Sequence, residues 1–139
     1  MDAQQKEHIE KAIIQTLDEY FEAARRCDAR GFMSVFVDTD EMTVIENEEI
    51  RPSRKVFEEW VSEFFKGVVK LDVTAEERRV FPLSLDVAVA TGVFRYSAQT
   101  TSGDTVGGRN AFTFVFVKKG ERWQIKHVHE SSLPIETEA

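Results

Sequence analysis

Residues 123–132 read WQIKHVHESS, and this stretch has the character of a closing β-strand. Successive side chains of a strand point to opposite faces of its sheet, so Trp123, Ile125, His127 and His129 are predicted to share one face. The intervening residues, Glu130 among them, are predicted to share the other. We expect any chemistry to lie on the first face, because it combines an apolar wall with two imidazoles.

The rest of the sequence divides into a helical half and a strand half. Before Gly67 the apolar residues recur every three or four positions, which indicates amphipathic helices. After it they alternate with polar residues, which indicates strands. The predicted helices cover residues 3–26, a short segment after Asp28, and 53–66, and the predicted strands cover 43–45, 71–75, 87–97, 106–118 and 123–130.

Helices followed by strands are typical of an α+β protein, in which three N-terminal helices pack on one face of an antiparallel sheet. The short polar breaks between the last four strands favour a meander. Gly107 and Gly108 interrupt one of these strands and predict a β-bulge that bends the sheet. A length of 139 residues fits a single domain over residues 1–139.

Two of the predicted strands, 88–96 and 111–117, carry apolar residues on both faces. A sheet that is covered on one side by its own helices requires only one apolar face. We therefore expect a second copy of the chain to cover the other face, which predicts a homodimer through the sheet.

Charge and composition disfavour several kinds of partner. The 25 acidic and 18 basic residues give a net charge of -7, which disfavours nucleic acid as a partner. No apolar run approaches the roughly 18 residues that cross a bilayer, so no membrane partner is expected. The N-terminal residues lack the pattern of a signal peptide, which makes the cytoplasm the expected compartment.

Several segments together resemble a known family. These are the turn at Asp28, the entry to the first strand over 38–45, and the segments 86–92, 108–109 and 120–131. They are similar to the nuclear transport factor 2-like superfamily, and within it to the SnoaL-like group. The last segment is also similar to the association domain of calcium/calmodulin-dependent kinases. The resemblance implies a cystatin-like cone, in which three N-terminal helices and a strongly bent antiparallel sheet enclose an apolar pocket.

The implied pocket offers candidate ligand contacts. Aromatic walls are predicted from Trp60, Tyr96, Phe114 and Trp123, although aromatic residues at such spacings also serve as ordinary core. SnoaL-like relatives carry a Gly-Arg pair where this chain has Gly108 and Arg109. The Arg109 guanidinium suits a carboxylate or another polar head, and an exposed salt bridge is the alternative. No cofactor is expected.

His127 and His129 are candidate acid-base or orienting groups, because imidazole titrates near neutral pH. Hydrogen bonds to neighbouring strands or to a dimer partner explain them equally well. We predict no metal site, since the spacing places no third ligand beside the two histidines.

Tyr20 and Glu46 form a second candidate pair. Ketosteroid isomerases of this superfamily use a tyrosine of the first helix as oxyanion donor and a carboxylate near the first strand as base, and the resemblance gives these roles to Tyr20 and Glu46. The family's second donor, a protonated aspartate on a central strand, has no counterpart, because residues 87–103 and 105–120 contain no carboxylate. Tyr20 also suits the core and Glu46 a solvated loop.

Three hypotheses about function follow from these observations. The first is a homodimeric protein that binds a small, partly apolar ligand in the cone. The second is an acid-base isomerase, cyclase or dehydratase that acts on a cyclic or carbonyl compound. The third is an oligomerisation module. The second hypothesis requires Tyr20 and either Glu46 or the histidines to converge on one cavity.

Overall fold

The computed structural model describes residues 1–134, which form three helices and a six-stranded sheet. The predicted α+β class and cystatin-like cone are confirmed. The helices are α1 (Ala3–Arg25), α2 (Ala29–Ser34) and α3 (Arg54–Lys66). The strands are β1 (Thr43–Glu46), β2 (Glu49–Arg51), β3 (Val68–Pro82), β4 (Val87–Thr100), β5 (Thr105–Lys119) and β6 (Arg122–Pro134).

A polar side chain begins each helix by accepting a hydrogen bond from a free backbone N–H of the first turn. Asp2 does so for α1, Asp28 for α2 and Ser53 for α3. Such caps fix where a helix starts, since the first N–H groups have no partner within the helix. The predicted helix boundaries agree with the structure to within about one turn.

The sheet has the strand order β2-β1-β6-β5-β4-β3. Strands β3 to β6 form the predicted antiparallel meander. Strand β1 runs parallel to β6 and turns through Asn47 into β2, a short strand that the sequence did not predict. Asn47 has a φ of 55°, a left-handed conformation that asparagine tolerates in tight turns. This hairpin extends the sheet beside the closing strand.

The β-bulge predicted at Gly107 and Gly108 is wrong, because both residues stay in continuous register with β4. The register shifts lie elsewhere, at two places along β3 and at one place between β5 and β6. In the last of these, Phe116 pairs with Ile125 and Val115 pairs with His127, so Lys126 is an extra residue in β6.

The extra residue reverses the alternation of side chains along β6. A slip of one residue moves every following side chain to the opposite face of a sheet. Ile125 is buried on the inner face, as are Val128 and Glu130 beyond Lys126, whereas His129 is exposed on the outer face. The prediction that both histidines share a face with Ile125 is therefore wrong, as is the prediction that Glu130 faces away.

The core lies between the helices and the inner face of the sheet. Aromatic side chains dominate it, and four of the largest fully buried ones are Phe21, Phe36, Phe114 and Phe116. The Phe114 ring meets the Tyr20 ring edge to face and the Phe116 ring at a tilt, as aromatic rings prefer. None of the helices over residues 1–134 is long and apolar enough to cross a membrane.

Candidate functional site

The helices and the inner face of the sheet enclose a cavity of about 140 Å³. This volume suits a molecule with roughly one aromatic ring. Most of its wall is apolar and comes from all three helices and from strands β1, β3, β4 and β6. The apolar lining consists of Ala24, Phe32, Phe36, Val44, Phe57, Trp60, Val61, Phe64, Phe65, Leu71, Val73, Phe94 and Val128.

Six polar side chains complete the lining, and they come from five different elements. Such a combination of apolar walls and a few convergent polar groups is typical of small-molecule sites. The six residues are Tyr20 of α1, Glu46 of β1, Tyr96 of β4, Asn110 of β5, and Glu130 and Ser132 of β6.

Glu46 and Glu130 are paired neighbours on the parallel strands β1 and β6. Paired residues of adjacent strands point to the same face, and both carboxyl groups line the cavity. Two like charges at directly neighbouring positions of a sheet destabilise it. An arrangement with this cost marks a candidate functional site.

Glu130 is buried and accepts two hydrogen bonds. Asn110 Nδ2 donates to its Oε2 at 3.3 Å, and the Tyr20 hydroxyl donates to its Oε1 at 3.4 Å. Burial raises the pKa of Glu130 to about 7, and the charge of Glu46 adds to the rise while the two hydrogen bonds oppose it. A carboxyl group with this pKa exchanges its proton near neutral pH, as a general acid or base requires.

Burial also raises the pKa of Glu46, and the positive charge of Arg51 opposes this rise. Burial raises the pKa of Tyr20 well above its usual value, with smaller contributions from the charges of Glu130 and Glu46. The Tyr20 hydroxyl is therefore neutral and serves as a hydrogen-bond donor. The pKa of Tyr96 is raised for the same reasons, burial first.

Arg51 lies behind the aromatic wall of the cavity. Arg51 pairs with Val44 across the β1–β2 hairpin, so both side chains lie on the inner face. The guanidinium carbon of Arg51 lies 4.2 Å from the centre of the Trp60 ring. Its Nη2 binds Glu49 at 3.0 Å, whereas its buried Nη1 has no hydrogen-bond partner among the described residues. Arg51 thus provides a buried positive charge near the two carboxyl groups.

The structure brings four of the predicted site residues to this cavity: Tyr20, Glu46, Trp60 and Tyr96. Gly108 is paired with Tyr96 and leaves room for its ring. A Cβ atom on residue 108 would lie only 3.1 Å from Tyr96 Cε1. Phe114 and Trp123 are buried in the core instead and do not line the cavity.

Arg109, His127 and His129 lie on the other face of the sheet from the cavity. The Arg109 side chain is 53% exposed, and its Nε binds Glu76 at 2.9 Å. Arg95 shares the same carboxylate. Exposed ion pairs of this kind contribute little to stability. None of these three residues lines the cavity, so Tyr20 and Glu46 converge there without the histidines.

Glu130 and Asn110 are site residues that the sequence did not predict. The alternation of β6 assigned Glu130 to the outer face, and only the bulge at Lys126 brings it inside. Asn110 had a detectable signal in the sequence, since it is two residues before Phe112 and therefore shares the strand face of Phe112, Phe114 and Phe116.

Residues 13–136 match the model of the SnoaL-like domain family. The chain belongs to this family. The match covers all the elements that build the cavity except the first part of α1, and it confirms the resemblance to the SnoaL-like group. Comparison with curated proteins gives no match.

Solved structures similar to this SnoaL-like chain extend over most of its length. A nuclear transport factor 2-like superfamily protein from Salmonella enterica has a TM-score of 0.81 and 19% identity, with 96% of each chain covered. A candidate scytalone dehydratase from Novosphingobium aromaticivorans has a TM-score of 0.85 and 11% identity, covering 99% of this chain and 93% of its own.

A third similar structure is a candidate calcium/calmodulin-dependent protein kinase II association domain from Xanthomonas campestris. Its TM-score is 0.75 and its sequence identity is 22%. The alignment covers 88% of this chain and 86% of the Xanthomonas chain. At these identities the likeness establishes the fold alone, since one fold carries many functions.

Proposed function

We propose that this SnoaL-like protein binds a small, largely apolar molecule in the cavity, with one polar group of that molecule against Glu130, Glu46 and Asn110. The supporting observation is an aromatic cavity of about 140 Å³ with six convergent polar side chains at its wall. Burial of the apolar part of the ligand supplies affinity, and the polar group sets its orientation.

Benzyl alcohol is a suitable first probe because it combines one ring with one hydroxyl group. Of the two tryptophans, Trp60 lines the cavity and Trp123 does not, so their indole N–H resonances supply a reporter and an internal reference. We expect the Trp60 resonance to shift on titration with a saturable curve while the Trp123 resonance stays in place. Equal shifts of both resonances, or none, would contradict binding in the cavity.

Replacing Val61 with phenylalanine is expected to weaken this binding about tenfold or more, because the larger side chain occupies part of the cavity. The control is the same replacement at Val69, which is 69% exposed and outside the cavity. The dissociation constant is measured by the same NMR titration after circular dichroism has established that both variants are folded. Unchanged affinity in Val61→Phe would place the ligand elsewhere.

Proton transfer to or from the bound molecule is the second candidate function. The placement of Glu130 supports it, since a protonated carboxyl beside Tyr20 corresponds to the second donor that the resemblance to ketosteroid isomerases implies. Glu46 would remove a proton from carbon next to a carbonyl group. The Tyr20 hydroxyl would exchange its hydrogen bond to Glu130 for one to the resulting oxyanion, and the protonated Glu130 would donate a second.

The test is hydrogen-deuterium exchange next to the carbonyl group of cyclohexanone, followed by NMR in deuterated buffer. The intact protein is expected to accelerate exchange over buffer. Glu46→Gln should reduce the acceleration by roughly 10²-fold or more, because a positioned base typically contributes that much. Glu48→Gln, which alters an exposed carboxylate two residues away, is the matched control. Exchange at the buffer rate, or equal rates in both variants, would remove this second function.

We also propose a homodimer through the outer face of the sheet. A row of paired residues crosses this face from Phe81 of β3 through Val89 and Val115 to His127 of β6. Val89 and Val115 are only half-buried in the single chain, and covering them would remove apolar surface from water.

Light scattering is expected to give a dimeric mass for the intact protein and a monomeric mass for Val115→Lys. Val69→Lys is the matched control. A monomeric intact protein contradicts the dimer, and a larger assembly supports the oligomerisation module.

A further inference from the structure

The charged groups that line the cavity are all acidic. Glu46 and Glu130 are carboxylic acids, and none of the cavity-lining side chains of residues 1–134 is lysine, arginine or histidine. A ligand with a negative charge would meet these carboxyl groups with no basic side chain at the surface of the cavity. A ligand with a positive charge would meet partners of opposite sign at hydrogen-bonding distance.

Asn110 supplies a second, independent observation. Its side chain is 5% exposed, and its Nδ2 already donates to Glu130 at 3.3 Å. Its Oδ1 is buried and has no hydrogen-bond partner among the described residues. A buried acceptor without a partner is costly, so the cavity is complementary to a ligand that brings an N–H or O–H donor to this atom.

Arg51 does not substitute for such a ligand. Arg51 is not one of the residues that line the cavity, and the Trp60 ring lies against its guanidinium. Arg51 already binds Glu49, so its single charge does not neutralise Glu46 and Glu130 when both of these are ionised.

We propose that the ligand is a small aromatic or alicyclic amine, bound as its ammonium ion between Glu130, Glu46 and the Oδ1 atom of Asn110. This inference rests on the proposed binding function and names the chemical class of the ligand. The ring would occupy the aromatic part of the cavity. One N–H group of the ammonium ion would supply the donor that the buried Oδ1 atom of Asn110 lacks.

Binding of an amine would be linked to a proton on Glu130. The groups that face Glu130 are Tyr20 from α1, Glu46 from β1, Asn110 from β5 and the more distant Arg51 and Tyr96. Because the pKa of Glu130 is raised to about 7, the empty site holds this proton below neutral pH and an ammonium ion displaces it. Amine affinity is therefore expected to increase as the pH rises from 6 to 8.

The experiment compares benzylamine with benzyl alcohol, which has the same ring and no charge. At pH 8 benzylamine is expected to bind about tenfold more tightly or better, as a charge-assisted hydrogen bond allows. Titration calorimetry in buffers of different ionisation enthalpy at pH 6 should detect proton release with benzylamine and none with benzyl alcohol. Glu130→Gln should abolish the proton release and bring the two affinities close together.

The possible outcomes separate this inference from the binding function. Equal affinities for both probes in the intact protein would overturn the amine class and leave binding in place. A preference for benzylamine that survives in both Glu130→Gln and Val61→Phe would place the amine on the acidic surface and also overturn it. Failure of both probes to bind would contradict the binding function together with the inference.

Discussion

Replacing Glu130 with glutamine is expected to raise the free energy of unfolding by about 3 kcal/mol at pH 8 and to leave it nearly unchanged at pH 4. In the folded protein the pKa of this carboxyl is about 7, against an ordinary value of 4.5. The native state therefore holds the proton more tightly than the unfolded chain. The contribution of Glu130 to the free energy of unfolding is therefore greatest below pH 4.5. It is lost as the pH rises through 7, because the unfolded chain ionises this carboxyl more readily than the folded protein does.

Glutamine removes this dependence because it keeps the shape of the protonated acid and never ionises. Urea unfolding of both proteins between pH 4 and pH 8, followed by circular dichroism, measures the difference. Glu121→Gln is the control, since Glu121 lies exposed in the turn between β5 and β6. If the stability difference between Glu130→Gln and the intact protein is constant over this pH range, Glu130 is not the buried proton carrier of the cavity.

Replacing Phe114 with alanine is expected to lower the free energy of unfolding by about 3–5 kcal/mol. The Phe114 side chain has no exposed surface. The centre of its ring lies 4.7 Å from the centre of the Phe112 ring and 5.2 Å from the centre of the Tyr20 ring. Alanine would leave a cavity between α1 and the sheet that the surrounding rings fill only in part. Urea unfolding at pH 6 is the measurement.

The control is Leu83→Ala, which also replaces an apolar side chain with alanine but at a position with 62% exposure in the turn between β3 and β4. It is expected to cost about 1 kcal/mol or less, because little buried surface is lost. Similar losses in the two variants would contradict the assignment of Phe114 to the centre of the core. A ligand that still binds the folded Phe114→Ala variant would agree with its position outside the cavity lining.

Much of the fold was predictable because it depends on local regularities. The spacing of Ile9, Ile13 and Leu17 predicts one apolar stripe on α1, and all three side chains are buried in that stripe. The alternation of Phe112, Phe114 and Phe116 likewise predicts one buried face of β5, which the structure confirms. These patterns require only the periods of a helix and a strand, so they can be read without knowing what packs against them.

The site was predictable only in part. Tyr20 on the first helix and Glu46 after the first strand were chosen by resemblance, and both line the cavity. The hairpin that holds Glu46 was missed because β2 lies within a run of acidic residues that reads as a solvated loop. Its pairing with β1 and the parallel pairing of β1 with β6 are long-range contacts, which local propensity does not encode.

The sequence by itself determined the α+β class, the order of the helices and of every strand except β2, and the apolar stripes that meet in the core, since each follows from local periodicity and turn-forming residues. The tertiary structure alone decided which side of β6 faces the cavity. One extra residue at Lys126, accommodated by the pairing with β5, moves the histidines of the stretch 123–132 outward and Glu130 inward. An alternation pattern cannot reveal such a bulge, because the register of a strand is set by its neighbours.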